Sequence, residues 1–432
     1  MLAILGFLMI ITFLCLIISK RVSPFVGLII IPIVFGIIGG FSSQLGPLMM
    51  EGIINTAPTA ILILFAILYF GIMIDTGLFE PLTSKIIKFA KGDPLKVIVG
   101  TAILAGIIGF DGDGSTTILI CISALLPLYK RLGINPIILA SITALQIGIT
   151  TLVPWGGPVG RVASVLKLDP TDLYLSMLPG MIVSLLFVVF VAYIIGKKER
   201  ARLGIENFHL DKETQEMMSS TIEYTDLKRR KILWINLFMS IFIMVILVLG
   251  WLPPAVLFMV GTALALLINY PSLKDQRERI AAHSPNGLMV ASIILAAGVF
   301  SGVLEGTTMS TAMAQILISI IPPEWGSFMP IITAIISIPG LFFIGADAFY
   351  FGIIPVLSET AATYGVTAME IGIASLYGTS FGYIGPLVGS MYLLTEMTAV
   401  NLVQLQKYAA KWAVGIFVIY IIMGMFLGEN PL

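Results

Sequence analysis

Gly109-Phe110-Asp111-Gly112-Asp113-Gly114-Ser115-Thr116-Thr117-Ile118 lies in the middle of an apolar stretch, with Val97 to Leu104 before it and Leu119 to Ile122 after it. Two carboxylates, three glycines and three hydroxyls are thus wedged between apolar flanks, each too short to cross a hydrocarbon core about 30 Å thick. A charge at membrane depth is costly, so it is kept for an ion or substrate path or for a partner inside the protein. Irregular backbone at that depth is tolerated only where it lines a cavity or is buried in protein. The stretch has the look of a transporter binding site.

The rest of the chain fits that setting. Of 432 residues, 58% are hydrophobic and 11% are charged, against about 25% charged in a soluble domain. Long apolar runs recur from end to end, which predicts an all-α polytopic membrane protein. A net charge of zero argues against a nucleic-acid partner. Cys15 and Cys121 both fall in apolar segments, so neither a disulfide scaffold nor a thiolate metal site is expected. His209 and His283 read as loop residues. A metal handled here would meet oxygen ligands, which favours Mg²⁺ or Ca²⁺ over Zn²⁺. No permanently bound cofactor is expected.

Hydropathy predicts ten crossings, near 2–19, 24–41, 57–79, 136–166, 174–196, 232–250, 252–269, 287–305, 367–398 and 408–427. The first reads as a retained span rather than a cleaved signal. Two further apolar segments, about 94–130 and 327–358, are broken in the middle and read as re-entrant hairpins. With the Lys20–Arg21 turn cytoplasmic, this scheme puts 22 of the 24 basic residues on one side and leaves only Arg161 and Lys167. Both termini are then expected outside and the polar 197–231 loop inside.

The plan is three spans, a hairpin and two spans, written twice in opposite orientation: 1–196 and 232–432, joined by 197–231. A shift of 232 residues aligns Gly133 with Gly365, Pro154 with Pro386 and Gly157 with Gly389, and lays Ser115 over Asp347. Inverted repeats with paired broken helices mark secondary transporters, whose substrate sits near the midplane.

Each repeat has two breaks. The first has the tip Asp111–Thr117 and the segment Thr150–Pro158; the second has Gly345–Tyr350 and Thr379–Pro386. Helix N-termini at such breaks offer free N–H groups to an anion. Candidate substrate contacts are Ser115, Thr116, Thr117, Pro154, Gly156, Gly157, Arg161, Gly345, Thr379 and Ser380, and candidate metal or proton-coupling groups are Asp111, Asp113 and Asp347. Each has a plainer reading. One of the first two aspartates suits a helix cap, and a buried structural Asp347 would need dedicated donors. Arg161 suits a carboxylate because its planar fork holds two oxygens; the alternative is a partner for an intramembrane Asp, or snorkelling. Asp75, Glu80 and Glu305 read as solvated caps near span ends, and Lys167 as interfacial.

At these residues the chain resembles the citrate–divalent metal/proton symporters, the CitMHS family of the ion transporter superfamily. The motifs that carry the resemblance are Leu64 to Phe79, Phe110-Asp111-Gly112-Asp113-Gly114-Ser115-Thr116-Thr117, Leu126-Pro127-Leu128-Tyr129, Pro154-Trp155-Gly156-Gly157-Pro158 and Gly345 to Gly352. The resemblance implies uptake of citrate complexed with Mg²⁺, Ca²⁺ or another divalent ion, coupled to protons, at the plasma membrane. It also implies an elevator-type fold assembled as a homodimer. One rival is a proton- or sodium-coupled carrier of a metal-free dicarboxylate or sugar acid. A more distant rival is a metal-dependent membrane enzyme, which would need a polar catalytic loop. The 197–231 loop has no suitable carboxylate cluster, so the expectation is that the protein is not an enzyme.

Overall fold

The computed structural model describes residues 1–90, 92–204, 227–320 and 322–427. Among these the chain is helical, with no strand. The first half runs through α1 (Leu2–Ile18), α2 (Pro24–Ile38), α3 (Leu45–Asp75), α4 (Glu80–Ala90), α5 (Pro94–Ile108), α6 (Gly114–Leu132), α7 (Pro136–Thr150), α8 (Gly157–Leu166) and α9 (Pro170–Leu203). The second half holds α10 (Leu233–Leu249), α11 (Pro254–Asn269), α12 (Leu273–Gly306), α13 (Met309–Ile320), α14 (Met329–Pro339), α15 (Ile354–Ala362), α16 (Ala368–Leu376), α17 (Thr379–Tyr383), α18 (Gly389–Thr398) and α19 (Leu402–Leu427). Seven of the described helical segments are long and apolar enough to cross a membrane.

Local chemistry sets where helices begin. Asp93, Asn135 and Asp169 each accept a hydrogen bond from the backbone N–H two residues on, at 3.0, 3.0 and 2.6 Å, and each is followed by proline. A side-chain acceptor at the cap and a proline at the first helical position are the favoured start signals.

The two halves share these boundaries. A shift of 232 residues carries the helix starts Gly114, Pro136, Gly157 and Pro170 onto Ala346, Ala368, Gly389 and Leu402. It also carries the left-handed residues Gly133 (φ 68°) and Lys167 (φ 56°) onto Gly365 (φ 82°) and Ala399 (φ 54°). Left-handed C-terminal caps are strained for any residue but glycine, so their recurrence at Lys167 and Ala399 marks a shared backbone plan.

Helix α3 crosses its counterpart in the second half, α12, backbone to backbone. A Cβ on Gly52 of α3 would lie 1.9 Å from the Gly298 carbonyl oxygen of α12, and one on Gly302 would lie 2.3 Å from the Leu48 carbonyl. Small residues permit such close approach in helices packed within a membrane. A second core forms beside this seam, where Trp155 stacks on Phe70 (centroids 5.2 Å apart) and leans on Phe258 (5.0 Å). It ties the Pro154–Pro158 break to α3 and α11.

Several expectations need correction. The spans expected at 57–79 and 287–305 are the ends of longer helices that start at Leu45 and Leu273. Helices α4 and α13 were not expected; α4 carries charged and apolar residues on opposite faces, which a search for apolar spans passes over. His283 is not in a loop but within α12, which continues through Pro285. It meets Asp75 at 2.7 Å, and Arg279 meets the same carboxylate at 3.0 Å. Asp75, Glu80 and Glu305 are therefore ion-paired rather than solvated caps, the latter two with Lys228 and Lys167. Most of the 197–231 loop, with His209, lies outside the described residues, although α9 continues to Leu203.

Candidate functional site

The first hairpin turns through a single 3₁₀ turn, Gly109–Asp111, and Gly112 at φ 81°. Asp111 is buried, 2% exposed. One of its carboxylate oxygens accepts from the Asp113 N–H at 2.9 Å, and the other has no hydrogen-bond partner. Asp113 caps α6: Oδ1 accepts from the Ser115 N–H at 3.0 Å and Oδ2 from the Thr116 hydroxyl at 2.7 Å. The capping role foreseen for one of the pair thus falls to Asp113. Its carboxylate has no ion-pair partner among the described residues.

The Pro154–Pro158 break is fastened to this tip. Trp155 donates from its indole N–H to the Asp111 carbonyl at 3.0 Å. Gly156 admits no side chain, because a Cβ would lie 1.8 Å from the Thr151 carbonyl oxygen. Helix α8 then starts at Gly157 with no side-chain cap, so its first N–H groups are left open.

In the second half the hairpin turns at Gly345, whose φ of 92° and ψ of 158° suit glycine alone. Helix α18, the counterpart of α8, likewise starts without a side-chain cap. Asp347 lies just past Gly345 and meets Arg161 of α8, Nε to Oδ1 at 2.7 Å. The side chains are 17% and 21% exposed. Both Nη nitrogens of Arg161 are without a hydrogen-bond partner among the described residues.

These four breaks, with Ile17, Ile18, Lys20 and Pro24 around the α1–α2 turn, line one cavity of about 540 Å³. Its lining repeats the 232-residue offset: Gly112 with Ile344, Asp113 with Gly345, Gly114 with Ala346, Thr151 with Tyr383, and Pro158 with Ser390. Of the residues singled out in the sequence, Asp113, Gly157, Arg161, Gly345, Asp347 and Thr379 line it. Ser115 and Thr116 stand behind Asp113 as its hydrogen-bond donors. Pro154 and Gly156 shape the break, and Thr117 and Ser380 are buried with unpartnered hydroxyls. Asp111 faces a different, mostly apolar cavity of about 1170 Å³.

The lining also holds residues that sequence reading left out. Tyr383 places its hydroxyl against Gly114, where a Cβ would come within 2.0 Å of it, and pairs with Ser390 at 2.9 Å. Thr151 is 6% exposed, and its hydroxyl has no partner. A signal for all three existed in the offset itself, since Thr151 maps to Tyr383 and Pro158 to Ser390. Among the described residues, no three His, Cys, Asp or Glu side chains converge to hold a metal.

Comparison with known proteins follows the same lines. The family model of CitMHS, described as citrate transporter, matches residues 5–378. The chain belongs to the CitMHS citrate transporter family. This CitMHS chain is 49% identical to a protein of Bacillus subtilis (strain 168) named citrate transporter, over 99% of both chains. It is 46% identical, over 99% of both, to one named Mg(2+)/citrate complex secondary transporter. The Alcanivorax borkumensis YdaH transporter has a similar fold, with a TM-score of 0.56 over 91% of this chain and 90% of that one at 12% identity. The CitMHS chain is accordingly a multi-pass membrane protein of a transporter family, with a cavity to which both halves bring charged and polar residues.

Proposed function

We propose that the protein is a secondary active transporter that takes up citrate complexed with a divalent metal of the Mg²⁺ or Ca²⁺ class, in symport with protons. The cavity closed by both hairpin tips and both broken helices carries this reading. Two open helix N-termini attract carboxylates, and the unpaired Nη edge of Arg161 can grip one in a plane. Asp113 and Asp347 bring oxygen donors suited to a hard divalent ion. The metal is cargo: with so few protein carboxylates on the cavity, most of its ligands are supplied by citrate and water. The relative named for a Mg(2+)/citrate complex supports the same substrate.

In this reading 1–196 and 232–432 are inverted repeats joined by a cytoplasmic 197–231 segment, both hairpins are re-entrant and both termini face outside. The transporter works as an elevator in the plasma membrane, assembled as a homodimer. Asp111, Asp113 and Asp347 supply metal contact and proton coupling, and the proteins it resembles give no reason to expect catalysis.

Uptake of labelled citrate into proteoliposomes, across a panel of metals and at two pH values, tests the reading. Uptake that needs Mg²⁺ or Ca²⁺ and is driven by an inward proton gradient is expected. Citrate uptake unchanged by chelation would replace it with the metal-free carrier, and no carboxylate uptake at all would overturn it.

A further inference from the structure

The α1–α2 turn puts one charge on the cavity. Lys20 lines it, is exposed, and has no hydrogen bond or ion pair to its ammonium among the described residues. Its backbone is left-handed, at φ 56°. The Lys20 N–H donates to the Ile17 carbonyl at 2.9 Å, and the Arg21 N–H to the Leu16 carbonyl at 3.1 Å. These are the two bonds of a Schellman helix end, whose left-handed position favours glycine. The next helix, α2, and the first helix of the second half, α10, close with the same pair of bonds on Gly40 (φ 86°) and Gly250 (φ 65°). A lysine in that conformation is strained. What it adds, and glycine cannot, is a cation on the cavity.

The charged residues on the lining are Lys20, Asp113, Arg161 and Asp347. Arg161 and Asp347 offset each other through their 2.7 Å contact. Asp113 has no ion-pair partner among the described residues, so without Lys20 the lining would carry a net negative charge. A tricarboxylate that holds a divalent ion keeps one net negative charge of its own, and the two would repel. We infer that Lys20 is a substrate-binding residue of this cavity: its ammonium offsets Asp113 and draws the anionic cargo in. The inference rests on the metal–citrate reading above. A compact ammonium on a flexible four-carbon stem is a mobile point charge, and charge on a cleft raises the local concentration of the opposite ion. Lys20 therefore attracts the anion, whereas Arg161, already fixed by Asp347, offers a held edge to one carboxylate.

Binding of citrate in saturating Mg²⁺, measured by calorimetry on the purified protein in detergent, tests Lys20 whichever face the cargo enters from. Lys20→Gly and Lys20→Gln are each expected to weaken binding by about three- to tenfold, the scale of one charge-assisted contact. Lys20→Arg keeps the charge and should bind like the wild type. Lys20→Gly also relieves the left-handed backbone, so its melting temperature should equal or exceed that of the wild type, which separates lost attraction from lost fold. Unchanged affinity in Lys20→Gly and Lys20→Gln overturns the inference. So does a loss in Lys20→Arg as large as in Lys20→Gln, because charge would then not be the cause. A wild type that binds no citrate with any divalent ion would instead overturn the functional reading, and this inference with it.

Discussion

Arg161 and Asp347, 186 residues apart, share a 2.7 Å hydrogen bond that closes the broken helix α8 onto the tip of the second hairpin. The aspartate takes the Nε edge of the guanidinium and leaves both Nη nitrogens without a hydrogen-bond partner among the described residues. The guanidinium is thus compensated without being used up, and two segments from different halves are held together.

Removing Arg161 should therefore cost both stability and binding. Arg161→Ala leaves Asp347 without its donor and is expected to destabilise the protein by about 1–3 kcal/mol, less than a fully buried pair because both groups keep some solvent. The double variant Arg161→Ala with Asp347→Asn should recover most of the melting temperature but not citrate uptake. Recovery of uptake as well would show the pair to be structural alone.

The glycines of the first broken helix should separate folding from binding. At Gly156 an added methyl meets a rigid carbonyl 1.8 Å away, whereas at Gly157 it meets the mobile end of Arg161 at 2.8 Å. Gly156→Ala is expected to lose most folded protein on expression and size exclusion. Gly157→Ala should fold and bind citrate more weakly, because it pushes the guanidinium aside. Equal yields of folded protein would count against this account.

How much of this was legible beforehand depended on whether the signal was local. The start at Pro136 and the breaks at Asp111–Thr117 and Thr150–Pro158 could be read because their signals lie within a few residues, whereas hydropathy placed the start at Pro170 at 174, its Asp169 cap lying outside the apolar run. A pairing of Arg161 with some intramembrane Asp was foreseen only as an alternative, and Asp347 was not named, since nothing local links α8 to a hairpin 186 residues away. Tyr383 and Ser390 looked like ordinary polar residues until the fold set one against Gly114 and the other beside it. Asp111 and Asp113 look equivalent in sequence, yet a single turn at Gly112 sends one toward each cavity. His283 was misplaced because Ser284-Pro285 imitates a helix end.

Topology can be tested at symmetry-equivalent positions. Lys130 and Ala362 are 232 residues apart, both exposed and both at the end of a hairpin. In a background lacking Cys15 and Cys121, Lys130→Cys and Ala362→Cys should react with impermeant thiol reagents from opposite faces. On right-side-out cells only Ala362→Cys should label. Labelling of both, or of Lys130→Cys alone, would break the inverted plan.

Acid should weaken the contact that ties the start of α5 to α9, between Asp93 and Arg200. Burial pushes the Asp93 carboxyl upward, but the Arg200 guanidinium and the Leu95 N–H more than offset this and hold it below its ordinary value. A lowered pKa means that the contact stabilises the fold above the ordinary carboxylate range, near pH 3.9, and that this is lost as acid protonates the folded form. Arg200→Gln should therefore melt below the wild type at pH 7, and the gap should close as the pH falls below about 4. A gap that persists at low pH would assign the effect to packing.

At the Gly52–Gly298–Gly302 crossing, two main chains touch with nothing between them. A seam of that kind has no lubricating layer. To slide by one residue, the helices would have to drive a carbonyl through a Cα, so α3 and α12 form a fixed axle rather than a bearing. Any travel of the cavity across the bilayer must then be taken up where side chains, not main chains, meet.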